Sequence, residues 1–294
     1  MHSYLRAVGF SEIKKRSEIR SLILDVVKNH DEMNVVQGYE DGDFAEFSKS
    51  FGENCGITVC GQYDDQNRFH PDYYFPYFKG SRISTQEHSV IERHAEKESF
   101  AGACDDLRIG VTLIFYLQNA AEYMKENDRF KGELPDLPLS LSALASEGRI
   151  ILPIEKDKQA VKVEKEASKN RSNLIAAARN GDQDAMESLT MEDMDTYSMI
   201  TQRIMTDDVF TIVDSYFMPY GIECDQYNIM GEIQEVSFYK NEMTGEELCQ
   251  MSLESNDMQF DVCINKKDLL GEPLVGRRFK GLVWLQGRLH LGDS

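Results

Sequence analysis

Apolar residues recur at helical spacing near the start of the chain, in the segment SEIKKRSEIRSLILDVVKNH. They fall on one face of an α-helix, and Ser11 or Ser17 is a residue type that caps a helix N-terminus. The pattern predicts one amphipathic helix that packs on the next part of the chain. Its apolar positions are Ile13, Ile19, Leu22, Ile23, Val26 and Val27.

Residues 43–117 contain short runs rich in β-branched and aromatic residues, separated by Gly, Asn, Asp or Pro. Such runs are typical of a mostly antiparallel sheet. The runs are DFAEFSKSF, CGITVCGQY, HPDYYFPYF, HSVIERHAE and LRIGVTLIFYL. The segment QNAAEYMKEN then predicts a short helix, and GRIILPI predicts one more strand.

From Glu155 the composition shifts to alternating charge with Ala and Leu and without proline, which favours helices. We expect three helices here. Their start and stop signals are Asn180-Gly181, Thr190, Thr206 and Pro219.

The C-terminal part alternates apolar and polar residues in four runs, YNIMGEIQEVSFY, EELCQMSLES, MQFDVCIN and RRFKGLVWLQGRL. Turns are expected at NEMTGEE and at Ser255-Asn256-Asp257, and one helical turn at KKDLLGEPLVG. A small β-barrel with a helix before its last long strand is similar to the OB architecture. The sequence therefore predicts an α+β protein of three units: an N-terminal helix with an antiparallel sheet (1–154), a helical connector (155–221) and a C-terminal barrel (222–294).

The net charge is −19, from 51 acidic and 32 basic residues. This excess counts against binding to nucleic acid or to anionic membranes and favours solubility through self-repulsion. The first thirty residues do not resemble a secretory signal, because charges interrupt the apolar positions. The longest apolar run, from Ile109 to Leu117, is shorter than the ~20 residues of a membrane-spanning helix. We expect a cytoplasmic protein.

Sequence motifs for phosphate binding, nucleophilic catalysis and metalloprotease chemistry are missing: the chain contains no G-x-G-x-x-G, no G-x-x-x-x-G-K-[ST], no G-x-S-x-G and no H-E-x-x-H. Two of the cysteines and three of the histidines in the N-terminal sheet are candidate zinc ligands, but their spacings are too loose for a compact zinc site. We therefore expect packed thiols, no metal and no cofactor. The residues concerned are Cys55, Cys60, His70, His88 and His94.

Two surfaces are candidates for binding. An aromatic patch (Tyr73, Tyr74, Tyr77 and Phe78) lies in a run whose prolines favour an edge strand, and aromatic residues dominate binding energy at interfaces. Core packing is the alternative for these rings. A basic cluster (Arg277, Arg278, Lys280 and Arg288) could form a groove on the barrel that binds single-stranded nucleic acid. Pairing with acids of the same chain is the alternative there.

Three long phrases of the chain resemble a family of uncharacterised clostridial (Firmicutes) proteins catalogued only as a domain of unknown function. They are MHSYLRAVGFSEI, VFTIVDSYFMPYGIECDQYNIMGEI and GEPLVGRRFKGLVWLQG, together with DTYSMITQRI. The resemblance covers essentially the whole chain and implies a bacterial cytoplasmic origin. It implies no activity, ligand or catalytic residue.

The function most consistent with these observations is a non-enzymatic binding or adaptor protein with a protein or small-molecule partner. The first alternative is a hydrolase-type enzyme, with an acid–base site or a thiol such as Cys60 or Cys104 beside His70 or His94 in a cleft between units. The second is nucleic-acid binding by the barrel.

Overall fold

The computed structural model describes residues 2–38, 42–94, 99–106, 108–130, 136–154, 167, 170–171, 173–178, 180–204, 213–221 and 225–291, with the backbone alone at 195–204. The first sheet is an antiparallel meander of four strands in the order β1-β2-β3-β4. The strands are β1 (Glu32–Gln37), β2 (Asp43–Gly52), β3 (Cys55–Tyr63) and β4 (Phe69–Phe78). β4 is an edge strand, as the prolines of its sequence predict.

The second sheet has ten strands, and five of them close into a barrel because β14 pairs with both β10 and β8. The ring runs β8-β12-β11-β10-β14, antiparallel except for the β8–β12 pair. Its strands are β8 (Leu139–Ile151), β10 (Gln226–Lys240), β11 (Glu247–Ser255), β12 (Met258–Asn265) and β14 (Arg278–Leu289). The α+β class, the antiparallel sheet and the barrel are confirmed.

The remaining strands extend this sheet at its margins. Beyond β14 lie β7, β6 and β5, while β9 pairs with β10 and β13 with β8. These strands are β5 (Ser89–Arg93), β6 (Phe100–Cys104), β7 (Leu113–Leu117), β9 (Tyr216–Pro219) and β13 (Leu269–Leu270). β8 comes before the connector in the chain and yet belongs to the barrel. The division into units at 154 and 221 stays a prediction.

The α-helices whose bounds are given are α1 (Arg16–Lys28), α2 (Ala120–Arg129) and α3 (Gln183–Ile204), and residues 173–178 are helical as well. α1 buries Ile19, Leu22 and Val26 against β2 and β3, as its apolar stripe predicts. Neither predicted serine caps it: the helix follows Lys15, and the Glu18 carboxylate accepts hydrogen bonds from the N–H groups ahead of the first turn. None of the helices in the described part of the chain is long and apolar enough to cross a bilayer.

Two of the helices predicted within the connector differ from the structure at their ends. α3 begins seven residues before Thr190, because the Asp182 carboxylate caps it by accepting from two N–H groups of the first turn. Thr190 instead donates its hydroxyl to the Met186 carbonyl inside the helix. A helix was predicted to end at Pro219, and this prediction is wrong for its last residues: Tyr216–Pro219 form the strand β9, in which Phe217 is buried. Its beginning, from Thr206, lies outside the described residues.

One hydrophobic core joins both sheets. A 3-10 helix, Ser3–Val8, packs against β4, β8 and β12 and buries Tyr4, Leu5, Ala7 and Val8 between them. α2 packs against β1 and β2. The four-stranded sheet therefore turns one face toward α1 and the other toward the barrel and α2, and this second face borders a polar groove.

Candidate functional site

The polar groove opens between β1, the first turns of α2 and the C-terminal end of β14. Its volume is about 800 Å³, which lies within the range of small-molecule sites. The lining residues are Met33, Asn34, Val35, Ala121, Glu122, Lys125, Glu126, Arg288, Leu289, His290 and Leu291. At its inner side the groove continues into a narrow recess that shares Asn34, Glu122 and Arg288 with it.

A row of polar side chains crosses the inner face of the four-stranded sheet beneath the groove. Asn34 lies opposite Glu46, Glu46 opposite Cys60, and Cys60 opposite Tyr73. Side chains directly opposite each other on neighbouring antiparallel strands share one face. The row therefore runs from the groove into the core.

Glu46 lies at the inner side of the recess and is only 4% exposed. Its Oε2 accepts a hydrogen bond of 3.2 Å from the N–H of Ala121, in the first turn of α2. Its Oε1 is buried and has no hydrogen-bond partner among the described residues. An unpaired buried carboxyl oxygen is costly and rare in native proteins, so this atom marks a place where something else is expected to bind.

Burial raises the pKa of the Glu46 carboxyl to about 8, because the charged form is poorly solvated in the core. The Ala121 N–H opposes this shift, the neighbouring Glu122 carboxylate adds to it, and the Arg288 charge lowers the pKa. Glu46 is consequently protonated in much of the population at neutral pH. A carboxyl group whose pKa lies near neutral pH is present in both protonation states there, so it can donate or accept a proton.

Gln118, at the end of β7, contributes a second unpaired oxygen to the recess. Its Nε2 donates to the Phe78 carbonyl over 2.8 Å and to Gln286 Oε1 over 2.9 Å. Because a carbonyl oxygen can only accept, these bonds place the amide nitrogen toward Phe78 and leave Oε1 on the other side. Gln118 Oε1 is buried and has no partner in the described part of the chain.

Two ion pairs flank the recess. The Arg288 guanidinium donates to both oxygens of Glu122, at 2.8 and 3.0 Å, and the Lys79 ammonium pairs with Glu32 at 2.8 Å. The hydroxyl groups of Ser48 and Thr58, 2.8 Å apart, complete the wall. The space left inside the recess is about 10 Å³, which is the room that one water-sized group needs.

The inner end of the polar row is a buried hydrogen-bonded group. The Tyr73 side chain forms hydrogen bonds with the Cys60 thiol and with the Tyr116 hydroxyl. Burial raises the pKa of all three groups, and the charge of Glu46 raises the pKa values further. Cys60 therefore remains a thiol and has little nucleophilic character.

The predicted Cys–His pairs are not built around these thiols. Cys60 lies opposite Tyr73, whereas His70 lies opposite Gln62 and contacts the Asp64 carboxylate at 2.9 Å. Burial also raises the pKa of the Cys104 thiol. The thiol form of the enzyme hypothesis has no support from this geometry.

The five residues considered as zinc ligands do not form one cluster, because each has different contacts. Cys55 and Cys60 are buried on β3, while His70 and His88 bind Asp64 and Asp136 at the surface. His94 follows the end of β5. In the ranges the structure describes, no group of three His, Cys, Asp or Glu side chains is arranged to hold a metal ion.

The aromatic patch is divided between core and periphery. Tyr77 and Phe78 are buried, with 5% and 3% of their surface exposed. Tyr73 and Tyr74 are half-buried and pack against the same core, and the Tyr74 hydroxyl accepts from the His2 N–H at 3.2 Å. This is the placement of packing residues, and a binding role for the patch stays a prediction.

The basic cluster is spread along β14, with Arg277 just before the first residue of the strand. Arg278 and Arg288 are ten residues apart, which is about 30 Å along a strand. Arg277 pairs with Glu272 at 3.6 Å, and the buried Arg278 donates to the carbonyls of Leu152 and Val213. Lys280 lies opposite Met230 of β10, two residues beyond Arg278. Only Arg288 of the four lines the groove, and nucleic-acid binding by the cluster stays a prediction.

Sequence reasoning missed Glu46 and Gln118. One signal for Glu46 was available: in DFAEFSKSF it falls at the spacing of two that puts it on the same face as the buried Phe44. An acid on the inward face of a strand is uncommon unless it is paired or functional. No comparable signal existed for Gln118, because its role depends on Phe78 and Gln286, which lie far away in the chain.

Together these observations define an α+β protein in which a four-stranded sheet and a closed five-stranded barrel share one core beside a polar groove. The chain belongs to the family described as "Domain of unknown function, E. rectale Gene description (DUF3881)", whose family model matches residues 5–287. The resemblance noted in the sequence is thereby confirmed. Neither the curated proteins nor the solved structures contain a match to the chain.

Proposed function

We propose that this protein binds a small polar molecule in the groove between β1, α2 and the end of β14, and that it acts as a binding protein. The observation that carries the proposal is the buried Glu46 Oε1, which has no partner among the described residues and lies in the recess that continues the groove. A ligand group bonded to this oxygen would remove the penalty of about 1–3 kcal/mol that an unpaired buried polar atom imposes.

The composition of the groove suits a small polar ligand better than a polymer. Charges of both signs line the groove and its recess: Arg288 pairs with Glu122 where the two spaces meet, and Lys79 pairs with Glu32 at the recess. Such a balanced lining offers several directional hydrogen bonds and no extended basic surface for phosphates. The overall charge of −19 points the same way.

The test is a thermal-shift screen of the full chain with primary amines, sugars and carboxylic acids, each added singly. Asn34 lines both the groove and the recess, so Asn34→Trp is expected to block the site and abolish any shift. Val90→Trp is the matched control, because Val90 is exposed on β5 and is not part of the groove lining. Shifts that persist unchanged in Asn34→Trp would place the ligand elsewhere and overturn the proposal.

An acid–base enzyme is the second candidate function, favoured by the pKa of Glu46 near 8. A protonated Glu46 could act as a general acid, and the Glu122 carboxylate, which is paired with Arg288, could serve as its charged counterpart. Two carboxyl groups in contrasting environments are the usual arrangement for such roles. Conversion of a bound molecule by the native protein and its loss in Glu46→Gln would favour this candidate, whereas recovery of the molecule unchanged would favour the binding protein.

A cytoplasmic location belongs to the same proposal. The five described cysteines, Cys55, Cys60, Cys104, Cys249 and Cys263, are free thiols. Free buried thiols suit a compartment that keeps cysteine reduced.

A further inference from the structure

We propose that the recess beneath the groove binds the primary ammonium group of a small organic amine, through the side-chain oxygens of Glu46 and Gln118. This inference rests on the proposed function and names the class of ligand: a molecule with an –NH₃⁺ end that enters the recess and a remainder that lies in the wider groove.

The recess contains two buried side-chain oxygens whose hydrogen-bond partners are missing, and both are acceptors when Glu46 is ionised. Glu46 Oε1 and Gln118 Oε1 both belong to residues that line it, and neither has a partner in the described structure. The residues are 4% and 7% exposed. The group that satisfies both oxygens must donate at least two hydrogen bonds, and an ammonium group donates three.

The size of the recess limits the donor further. The free space of about 10 Å³ admits one water-sized group. An –NH₃⁺ group meets this limit, whereas a planar guanidinium with its five donors is larger. The hydroxyl oxygens of Ser48 and Thr58 line the same space and offer a further acceptor for the third N–H.

The charges around the recess favour a cation. The two protein cations beside it are already paired, Arg288 with Glu122 and Lys79 with Glu32. Glu46 is the carboxyl group left over: its Oε1 has no partner among the described residues, and the nearby Arg288 is paired with Glu122. A ligand ammonium would supply that partner, and a buried charge is tolerated when it is paired and hydrogen-bonded.

A metal cation fits the recess less well than an ammonium group. Calcium takes six to eight oxygen ligands and magnesium a near-ideal octahedron, whereas the recess presents two unpaired oxygens. Within the described residues no cluster of three acidic, His or Cys side chains surrounds this point. Directional donation of N–H groups to two fixed oxygens is the better match.

The experiment is isothermal titration of the full chain with methylamine hydrochloride, alongside tetramethylammonium chloride and potassium chloride. Methylamine is expected to bind with release of about one proton per molecule, because the ammonium pairs with the ionised form of Glu46. Tetramethylammonium has the same charge, but it lacks N–H groups and exceeds the recess, so no binding is expected. The proton count comes from repeating the titration in two buffers that differ in ionisation enthalpy.

Glu46→Gln is expected to weaken methylamine binding by about tenfold or more, since the charge is lost while the shape is kept. Glu92→Gln is the matched control: Glu92 is exposed on β5 and lines neither the groove nor the recess, and the affinity of this variant should equal that of the native protein. The comparison of methylamine with tetramethylammonium needs no variant and stands if Glu46→Gln does not fold.

Equal binding of methylamine and tetramethylammonium, or an unchanged affinity in Glu46→Gln, would overturn the ammonium site. Saturable binding of potassium in place of methylamine, or no methylamine binding at about 100 mM, well above the ordinary range of affinities, would overturn it as well. If sugars or carboxylic acids bind instead and Asn34→Trp abolishes that binding, the ammonium assignment fails and the proposed function stands. If no compound of the screen binds in the groove, both fail.

Discussion

Gln286 of the barrel bonds to the backbone of the edge strand β4 as a neighbouring strand would. Its Oε1 accepts from the Phe78 N–H over 3.1 Å, and its Nε2 donates to the Pro76 carbonyl over 2.8 Å. The same oxygen accepts from Gln118. One amide side chain thus joins β4 to β14 and positions the glutamine that lines the recess.

Gln286→Leu should therefore destabilise the protein strongly. The substitution leaves the Phe78 N–H and the Pro76 carbonyl buried without partners, and each such group costs about 1–3 kcal/mol. We expect the free energy of unfolding in urea to fall by about 2–5 kcal/mol. Gln66→Leu, at an exposed turn position, is the matched control and should change it by less than about 0.5 kcal/mol. A loss as small as that of the control would show that this amide does not join the two sheets.

Glu46→Gln should stabilise the protein increasingly as the pH rises. The folded pKa of about 8 lies above the ordinary value of 4.5, so between these values the unfolded chain is ionised at Glu46 while the folded protein holds the proton. The contribution of Glu46 to the free energy of unfolding is greatest at low pH. It falls by up to about 1.4 kcal/mol per pH unit as the pH rises toward the folded pKa.

The measurement for Glu46 is urea unfolding of native protein and variant at several values from about pH 5 to about pH 10, which spans the folded pKa of about 8. The difference in favour of Glu46→Gln should be smallest at the acid end and level off at the alkaline end. Glu126→Gln controls for the loss of a carboxylate from the same groove. A difference that is constant across this range would mean that Glu46 is ionised in the fold.

Truncation of the tyrosines in the aromatic patch should lower the free energy of unfolding by different amounts. Tyr77 is buried within the core, so Tyr77→Ala should lower the free energy of unfolding by about 3–5 kcal/mol, as large core truncations do. Tyr74 is half-buried and lies at the margin of the core, so Tyr74→Ala should cost clearly less. Urea denaturation compares the two variants. A near-zero effect of Tyr77→Ala would return this residue to the predicted binding surface.

The described thiols should react slowly in the folded protein. Burial raises the pKa of Cys55 and Cys249 to about 12 and that of Cys263 well above its usual value, and only the thiolate attacks an alkylating agent. Cys224 lies outside the described residues, so the measurement uses Cys224→Ser. Iodoacetamide should label this variant quickly only in urea. One rapidly labelled cysteine in the native fold would revive the thiol enzyme.

Local sequence patterns were sufficient for most individual elements. The β-branched composition of CGITVCGQY and the period of two in the four C-terminal runs predicted strands that the structure contains, and the 3.6-residue period of α1 predicted its buried face. The turn at Ser255-Asn256-Asp257 followed from residues that tolerate positive φ, and Asn256 and Asp257 adopt φ of 52° and 61°. These features depend on neighbours in the chain, so sequence alone could predict them.

Tertiary structure decided what no local pattern contains. β8 joins a barrel whose other strands begin more than seventy residues later, and the segment at Tyr216 became a strand because β10 offered an edge for it to pair with. The recess likewise arises only where β2, β7, α2 and β14 meet. Glu46 and Gln118 are ordinary polar residues in the sequence; burial changes the protonation of one and the distant bonds of the other fix its orientation. Hydrophobic and turn patterns act over a few residues, whereas burial and charge pairing depend on the whole folded chain.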